Sequence, residues 1–81
     1  MSAARSRVPG TLSGLLRSEL ERVIHETALH KDDALVATRT LIERVPQIDI
    51  AEELGWERST VSRRLAVIIP RLELTAMRLF P

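Results

Sequence analysis

The sequence predicts a small all-α domain of about five short helices, on three observations. Apolar residues recur at spacings of three and four, as in Leu12, Leu15, Leu16, Leu20, Val23, Ile24 and Thr27, which is the period of a helix with one buried face. Aromatics are nearly absent, Trp56 and Phe80 being the only two, so a chain that is 44% hydrophobic must build a Leu-rich aliphatic core, which suits packed helices. No β-hairpin turn signal, internal repeat or low-complexity tract interrupts the pattern. At 81 residues there is room for one domain, and a single core of that size is marginal. With no cysteine, a disulfide or thiolate metal site is excluded as a staple, and self-association is the expected one.

Residues 1–11 carry Ser, Pro, Gly, Arg5 and Arg7 without periodicity and read as a flexible basic arm. Residues 12–31 form an amphipathic helix, capped by Thr11 or Ser13, weakened at Gly14 and ending near His30-Lys31. Residues 32–81 form the remaining domain. Asp32 or Asp33 caps a helix whose apolar positions are Leu35, Val36, Leu41, Ile42 and Val45, and Pro46 ends it. A short helix runs from about Gln47 to Leu54 and stops at Gly55, in the left-handed conformation glycine tolerates. Ser59 caps the next helix, through about Val67. Pro70 breaks or kinks the chain there, or opens a final helix with Leu72, Leu74, Met77, Leu79 and Phe80 on its apolar surface.

The net charge of +1 hides an uneven distribution. Residues 32–56 are acidic, with six carboxylates against Arg39 and Arg44. Residues 57–71 are basic, with Arg58, Arg63, Arg64 and Arg71 against Glu57. A basic stretch inside a nearly neutral chain is where a local electrostatic footprint for an anionic partner would lie. No apolar run is long enough to span a membrane, and no apolar segment follows the first residues as a secretory signal requires. No membrane partner is expected, and a cytoplasmic protein is the default expectation.

Residues 47–66, QIDIAEELGWERSTVSRRLA, fit a helix-turn-helix. Ala51 is small where two helices approach, and Gly55 meets the turn's need for positive φ. Ile50 and Leu54 face inward from the first helix, Val61 and Leu65 from the second, and Trp56 plugs the turn. That register turns Arg58, Ser59, Thr60, Ser62 and Arg63 outward. These are donors suited to phosphates and base edges, at the helix end that enters a major groove. Arg58 and Arg63 would read guanines, Gln47 would clamp a phosphate, and Arg64 and Arg71 would lie towards the backbone. Glu52 and Glu53 are expected to face solvent. The same Ala and Gly spacing also occurs in purely structural helix pairs. The adjoining Ser-Thr-x-Ser-Arg-Arg is what favours double-stranded DNA.

From Thr38 to Pro81 the chain resembles the CII activators of lambdoid temperate phages, a λ-repressor-like helix-turn-helix family. The resemblance lies in IAEELGWERSTVSRRL, in Ser62-Arg63 at mid-recognition helix, and in Ile69-Pro70-Arg71, similar to the Ile-Pro-Lys that opens the family's fourth helix. It implies a transcription activator of lysogeny establishment, a homo-oligomer (dimer or tetramer) on direct repeats one helical turn apart, and contact with RNA polymerase. It also implies DNA contact for Ser59, Thr60, Ser62 and Arg63. The chain departs from the family at Pro46, where a glycine-like junction is usual, and at Arg64, where an aromatic is usual. It departs again in having a helix near 12–30 and no counterpart of the family's last helix after Phe80-Pro81, so its oligomer is expected to be built differently.

His25 and His30 stand five apart, a poor spacing for metal ligands on one helical face, and no metal or other cofactor is expected. With no cysteine nucleophile, glycine-rich phosphate loop or paired catalytic carboxylates, an enzyme is not expected either. The Leu stripe of 12–30 either covers the core or forms a subunit interface, with the interface slightly favoured. Leu72, Leu74, Leu79 and Phe80 make a second candidate interface. Arg5 and Arg7 are read as a solvated arm that can reach DNA backbone or minor groove. A simple two-fold repressor, a DNA-packaging adaptor and a protein-binding module of the same shape are the alternatives.

Overall fold

A computed structural model of the chain describes residues 10–81. The expected basic arm, with Arg5 and Arg7, lies outside the described residues except for Gly10 and Thr11. Five helices follow in order: α1 (Gly10–Ser13), α2 (Arg17–Glu26), α3 (Lys31–Ala37), α4 (Gln47–Leu54) and α5 (Arg58–Leu79). The backbone continues from α3 straight into a π-helical turn, Thr38–Ile42. The described residues contain no strand, so the fold is all-α. No helix among them is long and apolar enough to cross a membrane.

The organising element is α5, which packs against α1, α2, α3 and α4. Its 22 residues span about 33 Å at 1.5 Å per residue. Val61, Leu65, Ile68, Leu72 and Ala76 line its buried face. They meet Leu12 of α1, Val23 of α2, Val36 of α3 and Ile50 of α4, all fully buried. One hydroxyl pair bridges this apolar core. Thr27 Oγ1 donates to the Val23 carbonyl at 2.6 Å and hydrogen-bonds the Thr75 hydroxyl of α5 at 2.8 Å. Both threonines are buried, and the pairing removes the desolvation cost that a lone hydroxyl would carry.

The structure corrects several boundaries. The helix expected over 12–31 is two helices, with a break around Gly14 and Leu15. Leu12 is drawn into the core while Leu16 stays exposed and caps α2, whose first turn is tied by the Leu16 N–H donating to Glu19 at 2.9 Å. Neither Thr11 nor Ser13 caps it. α2 stops at Glu26, because Ala28 takes φ 55° and turns the chain before His30. His30 caps α3 instead of Asp32 or Asp33, its Nδ1 accepting from the Asp32 N–H at 3.4 Å. The two aspartates fall in the first turn of α3, where their charge suits the positive helix end.

The largest correction concerns Pro70. The chain does not break there, and the two helices expected after Gly55 are one. Pro70 has no N–H to give the Ala66 carbonyl, a loss that usually interrupts a helix. Here Pro70 is on the exposed side of α5, so the freed carbonyl meets water, while Ile68 and Leu72 on the other side hold the helix to the core. Ser59 is therefore an ordinary residue of the first turn, and Glu57 occupies the cap position.

Candidate nucleic-acid interface

α4 and α5 are joined by only three residues, Gly55, Trp56 and Glu57. Gly55 has φ 72° and closes α4, and the Trp56 N–H donates back to the Ala51 carbonyl at 2.8 Å. Ile50, Ala51, Val61 and Leu65 are buried, and Leu54 and Trp56 pack partly against them. The inward register of the sequence reading therefore holds at each of these positions, and it leaves the opposite side of the α5 N-terminus outside.

Gln47, Arg58, Ser59, Ser62 and Arg63 line one open groove of about 1120 Å³, together with Thr40, Ala66 and Pro70. Arg58, Ser59, Ser62 and Arg63 are exposed, and Gln47 at the start of α4 is half-buried. Among the described residues neither Arg58 nor Arg63 pairs with a carboxylate. No side chain caps the first turn of α5, so its positive end adds to the two guanidinium charges. Donors, hydroxyls and two unneutralised cations at a helix N-terminus suit an anion.

The other expected contacts lie elsewhere. Thr60 is half-buried outside the groove, and its hydroxyl accepts from Arg63 Nη2 at 3.4 Å, so it steadies Arg63. Arg64 points a quarter turn away. Its Nε and Nη2 bind both carboxylate oxygens of Asp33 on α3, at 3.1 and 2.6 Å. Asp33 is nearly buried, and this two-pronged pair raises the Arg64 pKa, through the hydrogen bond first and the Asp33 charge second. Arg71 donates to the Thr27 carbonyl at 3.4 Å, against the C-terminal end of α2. Arg64 thus ties α5 to α3, while Arg71 stays exposed with one long contact.

Sequence reasoning missed three participants. Asp33, read as a helix cap, is the anchor of Arg64 across 31 positions. Thr40 lines the groove, and its Oγ1 is buried without a hydrogen-bond partner among the described residues. Glu53 is exposed, as expected, but it pairs through both oxygens with Arg39 at 3.0 and 2.8 Å, and Arg39 also reaches Glu43 at 2.9 Å. The Arg39 hydrogen bond lowers the Glu53 pKa, and the Arg39 pKa is raised in return. This triad ties α4 to the π-helical turn behind it. No local signal in the sequence marks any of the three, because each depends on which helix stands opposite. His25 sits in the last turn of α2 and lines a cavity of about 340 Å³ between α2 and α3, away from the groove.

Compared with models of known families, with curated proteins and with solved structures, the chain shows no significant match.

Proposed function

We propose that the chain is a sequence-specific DNA-binding transcription regulator, with α4 and α5 acting as a helix-turn-helix and the groove face of α5 as its reading surface. One observation carries this reading. Five of the eight residues that the sequence assigns to DNA share one groove, and the two arginines among them have no acidic partner. Arg58 and Arg63 offer the planar fork that matches guanine edges or phosphate, and Ser59, Ser62 and Gln47 supply neutral donors around them. Arg64 leaves the proposed contact set, because Asp33 holds it within the fold, and Arg71 lies outside the groove lining.

The mode of regulation is a narrower question. The activator form implied by the CII resemblance, on direct repeats and beside RNA polymerase, rests on the α4–α5 motif and Ser62-Arg63. Its third support, the Ile-Pro-basic junction, does not open a helix here, since α5 runs unbroken through Pro70. A two-fold repressor uses the same surface on inverted half-sites.

Selection from random duplex DNA with the purified chain tests both levels. An enriched motif that depends on Arg63 supports DNA reading, and its symmetry separates direct from inverted repeats. Affinity should also fall roughly 10³-fold or more between 50 and 200 mM salt if about six phosphates are engaged. No enrichment and no salt-dependent affinity would sink the assignment and turn attention to a protein partner.

A further inference from the structure

The outward face of α5 changes character along its length. Its first turns are polar and basic. Past Ala66 the same side presents Val67, Pro70, Leu74 and Met77, with Val67 49%, Leu74 68% and Met77 58% exposed. Three of the five exposed large hydrophobics among the described residues thus fall on one stripe. Their spacing of three, four and three is the a/d seam of a paired helix. Of the sequence's candidates for an interface, Leu74 lies on the stripe, and Leu72, Leu79 and Phe80 do not. Leu72 is fully buried, and Leu79 and Phe80 fold back on the core, with Arg22 of α2 over the Phe80 ring at 5.9 Å. Of the 12–30 stripe, Leu12, Leu20, Val23 and Ile24 are buried and Leu15 is half-buried, leaving Leu16 exposed by itself.

We infer that this stripe is the docking surface for a second copy of the chain, with the two α5 helices side by side, parallel and in register. The flanking charges choose the occupant and the direction. Glu73 and Arg78 border the seam on opposite sides, five positions apart. Five is the offset at which a residue before one a position faces the residue after the next d position on a parallel partner. Glu73 then meets the partner's Arg78, and Arg78 meets the partner's Glu73, so the surface complements itself. An antiparallel pair would instead set Arg71 against the partner's Arg78, like against like. The seam spans barely two heptads, less than the roughly 800 Å² per partner of a stable standard interface, so the pair is weak and concentration-dependent. The pairing is confined to the stretch from Val67 to Arg78; it shares Pro70 with the rim of the groove but none of the five residues that carry the DNA-binding reading.

Two measurements without DNA test it. In sedimentation equilibrium the mass of the wild-type chain should rise from monomer to dimer with concentration. Leu74→Asp should weaken association roughly tenfold or more while the circular dichroism is unchanged, since Leu74 is exposed. Because the chain has no cysteine, single-cysteine variants report direction. In the parallel register Val67→Cys and Met77→Cys each close a disulfide-linked dimer under mild oxidation, whereas antiparallel pairing about Leu74 places neither beside its own copy. A chain that stays monomeric at every concentration, a Leu74→Asp variant that associates like wild type, or failure of either cysteine to cross-link would overturn the inference. None of these results bears on whether the groove binds DNA.

Discussion

Arg63 and Arg64 are adjacent and chemically identical, yet they stand on different sides of α5. Arg63 lies in the open groove with only a long contact to Thr60, while Arg64 is clamped by both oxygens of Asp33. One step along a helix is about 100°, and that rotation separates a side chain available to a ligand from one that holds the fold together. Among the other arginines, Arg58 stands on the groove side and Arg39 is paired with Glu53 and Glu43. A basic stretch counted from sequence therefore overstates the binding face, because charge that is already paired adds little to a ligand's field.

Replacing the support beneath both sides should erase the distinction. Ile68 is fully buried under α5, and Ile68→Ala should cost about 2–5 kcal/mol of stability, measured by denaturant unfolding, with groove and ties lost together. Removing one side at a time should sharpen it. Arg63→Ala should leave the thermal midpoint unchanged and weaken specific DNA binding by roughly 1–3 kcal/mol in a titration. Arg64→Ala should do the reverse, lowering the midpoint while the folded fraction keeps the same binding preference. Equal loss of specificity in the two variants would dissolve the comparison.

Smaller effects should come from two turns with opposite needs. Gly55 at φ 72° has open space where a Cβ would stand, so Gly55→Ala should cost about 1 kcal/mol through backbone strain alone. Ala28 at φ 55° is already under that strain, and Ala28→Gly should raise stability by up to about 1 kcal/mol in the same assay.

The smallest effect concerns pH. The Glu53 pKa lies below its ordinary value of 4.5 because Arg39 hydrogen-bonds the carboxylate. The unfolded chain then takes up that proton more readily than the folded one, so stability increases with pH across this range. The contribution is complete above about pH 4.5 and disappears as pH falls through the lowered value. A carboxyl titration followed by NMR should show Glu53 moving back up in Arg39→Gln.

Much of the site was legible from sequence because its rules are local. Gly55 is needed where φ is positive, and Ile50, Val61 and Leu65 follow the helical period, so the register of α4 and the first turns of α5 follows from those residues alone. The N-terminal region was harder. Leu12, Leu15 and Leu16 keep helical spacing through Gly14, but Leu12 gains more by entering the core than the chain gains from one continuous helix.

The sequence by itself determined the helical class, the turn at Gly55 and the outward set of Arg58, Ser59, Ser62 and Arg63, since periodicity and backbone preference act over a few residues. Tertiary structure decided the rest. It carried α5 through Pro70, because a core along the other face outweighs one missing hydrogen bond. It also withdrew Arg64 from the surface chemistry, because its partner Asp33 comes from a helix 31 positions away. Spacing along the chain cannot encode a contact whose existence depends on how separate helices pack.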